Sequence, residues 1–337
     1  MGYPVTLIRG CGPDAAVADA ARTAIDTTNV PIDWQIIDLN PEMLTGDVIP
    51  LANYLVDAIR KTRTAIKGPI TLANGQDLYL LDALIQEKLN LYANLRPAKS
   101  IPDLPGPFQD IDLMIVRENT EDIYTGIEFE RTSVEAADAR SWLSKLSGKR
   151  IREDSAVGIK AISVKGCGQI IEFAFNYARS NHRNKVTAVH LAHKMASTDG
   201  LFLDIAHEIA KEFPDIQFED RAVSTLCMEL IQNPQAFDVL VMPNAYGDLL
   251  SHLCVGMVGN FGAPTAYMGD QYAVFEALPA CITSQSKNPF ALILSGVLLL
   301  RYLGEPDAAQ RLQAAVESQV VLESKGIADF LLSANQG

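Results

Sequence analysis

An alternation of strand and helix patterns is the feature that most restricts what this chain can fold into. PVTLIRG is an apolar run typical of a buried strand, AAVADAARTAIDTT carries apolar residues at helical spacing, and WQIIDL predicts another strand. Further along, DIDLMIVREN, KVTAVHLA and AFDVLVMP predict strands, while IIEFAFNYARSN and TDGLFLDIAHEIAKEF predict helices. Such sustained alternation indicates the α/β class.

Particular residues are expected to set element boundaries. LDALIQEKLNLYANLRP predicts an amphipathic helix that leads into a strand, and Pro97 is expected to end that strand. Thr198 or Asp199 is the expected cap of a later helix. DIDLMIVREN ends in charged residues, at the kind of strand end where active sites commonly lie in α/β folds.

Composition excludes several classes of partner. The chain has 337 residues, 48% of them hydrophobic, which is enough for at least one large core and suggests two lobes. No apolar run reaches the roughly 18 residues of a membrane span, so we expect no membrane contact. The net charge of -13 comes without a basic stripe, so we expect no nucleic-acid binding.

The cysteines indicate the redox compartment. There are five, they are scattered, and none forms a CxxC pair, which argues against a disulfide framework and against a zinc site. A reducing compartment follows, and we expect the protein to be cytoplasmic.

Five segments carry a resemblance to a known family. RENTEDIYTGIE is the longest and most specific match, and all five occur in the family's order over essentially the whole chain. Together they resemble the isocitrate and isopropylmalate dehydrogenase family, and GIKAIS is most similar to the homodimeric bacterial isocitrate dehydrogenase branch. The segments are LYANLRP (91–97), DLMIVRENTEDIYTGIE (112–128), TAVHLAHKMASTDGLF (187–202), NPQAFDVLVMPNAYGDLLSHLCVGMVG (233–259) and GDQYAVFEA (269–277).

The resemblance implies an isopropylmalate dehydrogenase-like fold of two domains with the active site in the cleft between them. Residues 1–100 and 250–337 would form one domain, and residues 101–249 the dimerisation domain. The charged segment 128–155 would be an excursion toward another subunit. A homodimer is implied, with a hetero-oligomer containing an active homologue as the alternative. The family's chemistry is hydride transfer from a 2-hydroxy acid to a nicotinamide cofactor, followed by decarboxylation.

Three positions match family residues that handle the substrate. Arg96 and Arg117 fall on two arginines that hold substrate carboxylates, for which guanidinium groups are well suited. Tyr124 falls on the family's catalytic tyrosine.

Other substrate positions carry different residues. Gln86 stands where the family has a third arginine, and Leu80 and Asp82 stand where a serine and an asparagine touch isocitrate. Asp82 would then be an unpaired carboxylate beside an anionic ligand, which would weaken the binding of a tricarboxylate.

The metal site and the proton acceptor are altered as well. The family supplies three aspartates for a divalent cation, and only Asp248 matches, with His252 in place of another. Leu191 stands at the family's lysine, and leucine cannot carry a proton. His193 or Lys194 would have to replace that lysine.

The cofactor loop also departs from the family pattern. Pro279–Thr283 replaces the family's adenosine-binding run, and Asn288 arrives about four residues early. We therefore expect no cofactor, with NAD(P) and magnesium as the alternative.

These differences favour a scaffold that has lost the family's oxidative decarboxylation. It would serve a non-redox reaction, such as a cyclisation, isomerisation or lyase step, on a less polar small-molecule ligand. Two alternatives stay open. One is a non-catalytic regulatory or structural homologue whose two arginines bind an allosteric anion. The other is a NAD(P)-dependent dehydrogenase of an unusual 2-hydroxy acid.

Overall fold

A single ten-stranded sheet runs through the protein in a computed structural model that describes residues 2–72, 78–102, 107–259, 263–278 and 289–319. Its order is β2-β1-β3-β12-β11-β4-β5-β10-β8-β9. The strands are β1 (Tyr3–Arg9), β2 (Ile32–Asp38), β3 (Thr64–Lys67), β4 (Ala93–Lys99), β5 (Asp112–Glu118), β8 (Lys185–His190), β9 (Gln217–Ala222), β10 (Val239–Met242), β11 (Pro264–Met268) and β12 (Ala273–Ala277). The predicted α/β class is confirmed.

Helices cover both faces of this sheet. The bounds are α1 (Pro13–Asp26), α2 (Pro41–Thr45), α3 (Val48–Thr62), α4 (Leu78–Lys88), α5 (Val134–Ser147), α6 (Val164–Ser180), α7 (Asp199–Ala210), α8 (Val223–Gln232), α9 (Asn244–Met257) and α10 (Phe290–Tyr302). Side chains of α1, α6, α7 and α10 form a core on one face. Those of α3 and α4, and of α8 and α9, form two cores on the other.

Side-chain caps explain where several helices begin. Asn40 and Asp47 accept backbone N–H groups at the starts of α2 and α3, and Ser133 and Ser163 do the same for α5 and α6. Thr198 precedes α7 but forms no side-chain cap. The carboxylate of Asp199 instead accepts the N–H of Leu191, 2.7 Å away, and so ties the helix start to the end of β8.

Pro97 does not end its strand, and that prediction is wrong. β4 continues to Lys99 and pairs antiparallel with β5 along its whole length. On its other side, β4 pairs with β11 only from Ala93 to Leu95. Pro97 therefore has one neighbouring strand, and the missing N–H costs no ladder hydrogen bond on the open side.

The predicted domain division falls at this β4–β5 pairing. β1 to β4, β11 and β12 would belong to the domain made of residues 1–100 and 250–337, and β5, β8, β9 and β10 to residues 101–249. The boundary stays a prediction, because the antiparallel pairing from Ala93↔Glu118 to Lys99↔Asp112 makes the sheet continuous across it.

The segment predicted to leave the main body forms a small unit of its own. β6 (Glu128–Phe129) pairs with β7 (Val157–Gly158) in a separate two-stranded sheet, and α5 lies between them in the chain. Trp142 and Leu146, one turn apart on α5, are largely exposed. Within the described part of the chain, no helix has the length and apolar character needed to cross a bilayer.

The core on the α6 face gives a stability prediction. Phe175 is fully buried and stacks on Phe213 with ring centroids 4.9 Å apart. We expect Phe175→Ala to lower the free energy of unfolding by about 3–5 kcal/mol, because it leaves a cavity. Urea unfolding measures this, with Ile49→Ala on the exposed face of α3 as control, expected to change stability by less than about 0.5 kcal/mol. Equal losses in both variants would contradict the packing described.

Candidate active site

A row of polar side chains crosses the centre of the sheet on the face covered by α4 and α9. In the strand register, Lys67 on β3 lies opposite Glu276 on β12, and Asn94 on β4 lies opposite Arg117 on β5. Opposed residues share a face, as do residues two apart such as Asn94 and Arg96. Thr265 on β11 joins the two halves, because its hydroxyl accepts a hydrogen bond from the Asn94 amide at 3.1 Å.

Arg96 and Arg117 form a buried pair within this row. They are 4% and 8% exposed, and both direct Nη1 at the same oxygen of Asp248 on α9, at 3.0 and 2.6 Å. Arg117 also donates two hydrogen bonds to the Asn244 side chain, and Arg96 donates one to Ser251. Burial and the neighbouring Arg96 charge lower the pKa of Arg117, although an arginine stays protonated in proteins.

Asp248 keeps its charge in this setting. Burial alone would raise the pKa of its carboxyl, but Arg117 and Arg96 outweigh that effect and hold the pKa below its ordinary value. Its second oxygen lies 3.5 Å from the hydroxyl of Tyr124. Burial and the Asp248 charge raise the pKa of Tyr124, so this half-exposed phenol is a proton donor at neutral pH.

Asp82 is not an unpaired carboxylate, contrary to the expectation from the sequence. It lies 3.0 Å from the ammonium of Lys67, which also contacts Glu276. All three side chains are almost completely shielded from solvent. Burial would lower the pKa of Lys67, but the two carboxylates reverse this and raise it. Burial raises the pKa of Glu276 to about 7 against the pull of Lys67.

The two other altered substrate positions lie on the same helix as Asp82. Gln86 accepts a hydrogen bond from the Asn119 amide at 3.1 Å, at the end of β5. Leu80 is 46% exposed at the first turn of α4. The helix therefore carries an exposed apolar side chain and a neutral amide, and the carboxylate of Asp82 is neutralised by Lys67.

Leu191 and its neighbours lie on a turn at the end of β8. The turn is closed by Leu191, whose carbonyl accepts the N–H groups of Lys194 and Met195 at 2.9 Å. His193 and Lys194 are exposed on it. Both side chains are therefore open to solvent at the carboxyl end of β8.

A second charged cluster beside this turn was missed in the sequence. Lys160 lies 2.6 Å from Asp199 and 3.6 Å from Asp122, and the Tyr246 hydroxyl donates to Asp199 at 2.9 Å. Burial would lower the pKa of Lys160, but the bond to Asp199 raises it, so the lysine is a fixed cation and a poor base. The sequence around Lys160, GIKAIS, did not predict this cluster, because the partners of Lys160 lie 38 or more residues away in the chain.

The predicted metal ligands do not form a cation site in the described structure. Asp248 is engaged with both arginines, and the Nδ1 of His252 lies 2.7 Å from the Asp248 carbonyl, as expected for neighbours on one helix. Across residues 2–72, 78–102, 107–259, 263–278 and 289–319, no group of three acidic, histidine or cysteine side chains could hold a metal. A hard divalent cation needs several oxygen ligands, so the residues present do not fit it.

The cofactor positions can be described only in part. Asn288 and the run 279–283 lie outside the described residues. At the turn before α1, Gly12 has φ 58°, and a side chain added there would meet no atom within 4 Å. A cavity of about 780 Å³ lies elsewhere, at the strand starts, where it is lined by Asp112, Lys185 and Phe237 and by none of the predicted site residues.

Comparison with known proteins defines the class to which this sheet and arginine pair belong. Over residues 5–336 the chain matches the isocitrate/isopropylmalate dehydrogenase family. The protein is a member of that family, as its sequence motifs predicted.

Individual relatives resemble the chain over most of its length. A probable NAD isocitrate dehydrogenase alpha subunit of Drosophila melanogaster is 35% identical over 92% of this chain and 78% of its own. A chloroplastic 3-isopropylmalate dehydrogenase of Solanum tuberosum is 34% identical over 92% of this chain and 83% of its own. The crystal structure of isocitrate dehydrogenase from Methylococcus capsulatus is 37% identical, with a TM-score of 0.78, covering 95% of this chain and 91% of that one.

These relatives overturn the function predicted from the sequence. We expected a scaffold that had lost oxidative decarboxylation and served a non-redox reaction. Relatives about 35% identical over 92% of the chain are named isocitrate dehydrogenases, which favours a conventional dehydrogenase. The prediction is therefore wrong. The non-catalytic alternative is not retained, and the expected absence of a cofactor finds no support, because those names specify NAD.

The Lys67–Asp82–Glu276 cluster makes stability depend on pH. A carboxyl whose pKa is about 7 when folded, against an ordinary 4.5, binds protons more tightly in the native state. Stability must therefore fall as pH rises through that window. Urea midpoints measured at about pH 5 and about pH 8 should differ more in wild type than in Glu276→Gln. Glu229→Gln, which alters a half-exposed pair with Arg221, should keep the wild-type slope. If the urea midpoint of Glu276→Gln changed with pH as much as that of wild type, Glu276 would not be the source of the pH dependence.

Proposed function

We propose that the protein is a nicotinamide-dependent dehydrogenase of a 2-hydroxy dicarboxylate that carries an uncharged substituent. The observation that carries this is the convergence of Arg96, Arg117 and the Tyr124 hydroxyl on one carboxylate, that of Asp248 on α9. Buried guanidinium groups hold carboxylates well, and a phenol that stays protonated at neutral pH has a proton to donate. Family membership supplies the reaction class.

The charges around the arginine pair support a substrate with fewer charges than isocitrate. Lys67 is occupied by Asp82 and Glu276, and Gln86 is neutral. Two arginines are then left for substrate carboxylates on this face. The exposed Leu80 at the first turn of α4 would contact an uncharged substituent. A third carboxylate placed here would lose its hydration without gaining a cation.

In the proposed reaction, the arginine pair holds and orients the substrate carboxylates. A bound nicotinamide cofactor would supply the hydride acceptor for the carbon that bears the hydroxyl. Tyr124 would donate its proton to the carbon that loses carbon dioxide, since its raised pKa keeps the phenol protonated. His193 and Lys194 remain our proposed acceptors for the hydroxyl proton, in the cleft of a partner subunit.

We also propose a homodimer, in which the turn that carries His193 and Lys194 would enter the cleft of the partner subunit. Large apolar side chains are exposed on the helices nearest the site, Met228 on α8 and Leu249 on α9. Trp142 and Leu146 add a second exposed apolar pair on α5. Exposed apolar surface of this kind marks interaction sites. A second copy of the chain would cover it.

We also propose a cytoplasmic location. The cysteines within the described ranges, Cys11, Cys167, Cys227 and Cys254, are free thiols. Burial raises the pKa values of Cys167 and Cys254 to about 12, which keeps both thiols unreactive. Free thiols are the usual state in a reducing compartment.

Turnover tests the dehydrogenase directly. We expect reduced nicotinamide, followed by its near-ultraviolet absorbance, when NAD+ or NADP+ is supplied with 3-alkylmalates, and slower turnover with isocitrate. Arg117→Lys should lower kcat/KM by at least about 100-fold, because lysine cannot reproduce the paired guanidinium contacts. Arg179→Lys, at an exposed pair with Asp215 far from the site, is the control and should keep full activity. Absence of turnover with both cofactors and every 2-hydroxy acid tried would refute the proposal.

Solution mass tests the dimer. We expect light scattering to give twice the chain mass for wild type and the chain mass for the double variant Met228→Asp with Leu249→Asp, since buried unpaired carboxylates are costly. Tyr54→Asp, on the exposed surface of α3, should leave the mass unchanged. A monomeric wild type at micromolar concentration would contradict this part of the proposal.

A further inference from the structure

Asp248 occupies the position that a ligand carboxylate needs. Its Oδ1 accepts from Arg96 and from Arg117 at 3.0 and 2.6 Å, so both guanidinium groups are already engaged by the chain's own carboxylate. The remaining bonds of Arg117 go to Asn244, and Arg96 also donates to Ser251. Among the described residues the Nε of Arg96 has no partner.

The arginine pair is destabilising when no anion lies beside it. Two guanidinium groups lie side by side in a shielded part of the sheet, where their repulsion is weakly screened. Removing one member of a buried charged set leaves the others uncompensated and destabilises the fold. A carboxylate from Asp248 and a carboxylate from a ligand satisfy the same need, so they compete for the same Nη1 groups.

Asp248 is also placed so that it can leave. Its side chain is 27% exposed, whereas those of the two arginines are below 10%. Its second oxygen has only the longer contact to Tyr124 at 3.5 Å. The described residues provide no set of ligands with which Asp248 would instead hold a cation. The carboxylate of Asp248 is thus the most solvent-accessible member of the set, and the two arginines are the most deeply buried.

We infer that Asp248 is an internal anion that blocks the arginine pair in the free protein and must be displaced by a substrate carboxylate. This rests on the proposed function only in taking the pair as the carboxylate site. The device keeps two buried cations paired at all times and makes the affinity for anions lower than the bare pair would give. Removing the Asp248 carboxylate should therefore strengthen anion binding and lower the stability of the protein without ligand.

The test uses malonate, a dicarboxylate with no hydroxyl to oxidise, so its outcome does not depend on turnover. The melting temperatures of wild type and Asp248→Asn are measured at increasing malonate concentration. Sodium chloride at equal ionic strength is the control salt. We expect the variant to melt lower without malonate and to be stabilised at malonate concentrations at least about tenfold below those needed by wild type. Equal or higher concentrations in the variant would overturn the inference.

Asp238→Asn is the matched control. Asp238 also pairs with an arginine, Arg183, and the two side chains are 19% and 21% exposed, but the pair lies at the opposite end of the strands. Its loss should lower the melting temperature without any gain in malonate sensitivity. If Asp238→Asn became as sensitive to malonate as Asp248→Asn, the effect would be a general response to a lost charge, and the inference would be overturned.

Two further outcomes decide the case. If Asp248→Asn folds only when purified in malonate and unfolds when malonate is dialysed away, the internal anion is supported; if malonate does not restore it, the inference fails. Magnesium alone should not stabilise wild type. A magnesium shift that is lost in Asp248→Asn would make Asp248 a cation ligand and overturn the inference. Failure of the dehydrogenase assay alone would leave these outcomes intact.

Discussion

Burial of several charges in the middle of the sheet is the constraint on which the rest of this structure depends. Two arginines lie on the adjacent strands β4 and β5 and a lysine lies on β3 of the same sheet, and each needs a carboxylate because water hardly reaches it. Glu276 comes from the sheet itself, whereas Asp82 and Asp248 are brought by α4 and α9. The placement of these helices on the sheet is therefore fixed by charge pairing as well as by apolar packing.

This pairing links folding to function in one set of atoms. Gly247 on α9 illustrates how closely the helix must approach, since a side chain added there would lie 2.5 Å from the Arg117 Cγ. The close approach lets Asn244 and Asp248, one turn apart, both reach Arg117. A rigid guanidinium pair held by a helix is well suited to orient a substrate, because little ordering is left to be done on binding.

The family relationship and the altered residues are compatible in physical terms. Leu191 does not carry a proton, but the dehydrogenase reaction needs a base somewhere in the cleft and not at one fixed position. Asp82 is not a misplaced anion, because Lys67 neutralises it. A substitution that looks in the sequence like the loss of a functional group can therefore be a change of ion-pair partner within a charged cluster. The sequence does not reveal such a change, because the partners are distant along the chain.

The sequence by itself determined the α/β class and the family, and it predicted Arg96, Arg117 and Tyr124 as site residues, which the structure brings together at Asp248. Hydrophobic periodicity is local, and the RENTEDIYTGIE motif is contiguous, so both survive in a linear string. Only the tertiary structure decided that Asp248 serves the arginines, that Asp82 pairs with Lys67, and that β4 runs through Pro97. Each of these depends on a partner distant in sequence, and pairing between distant residues is set by the register of the sheet and the packing of helices on it.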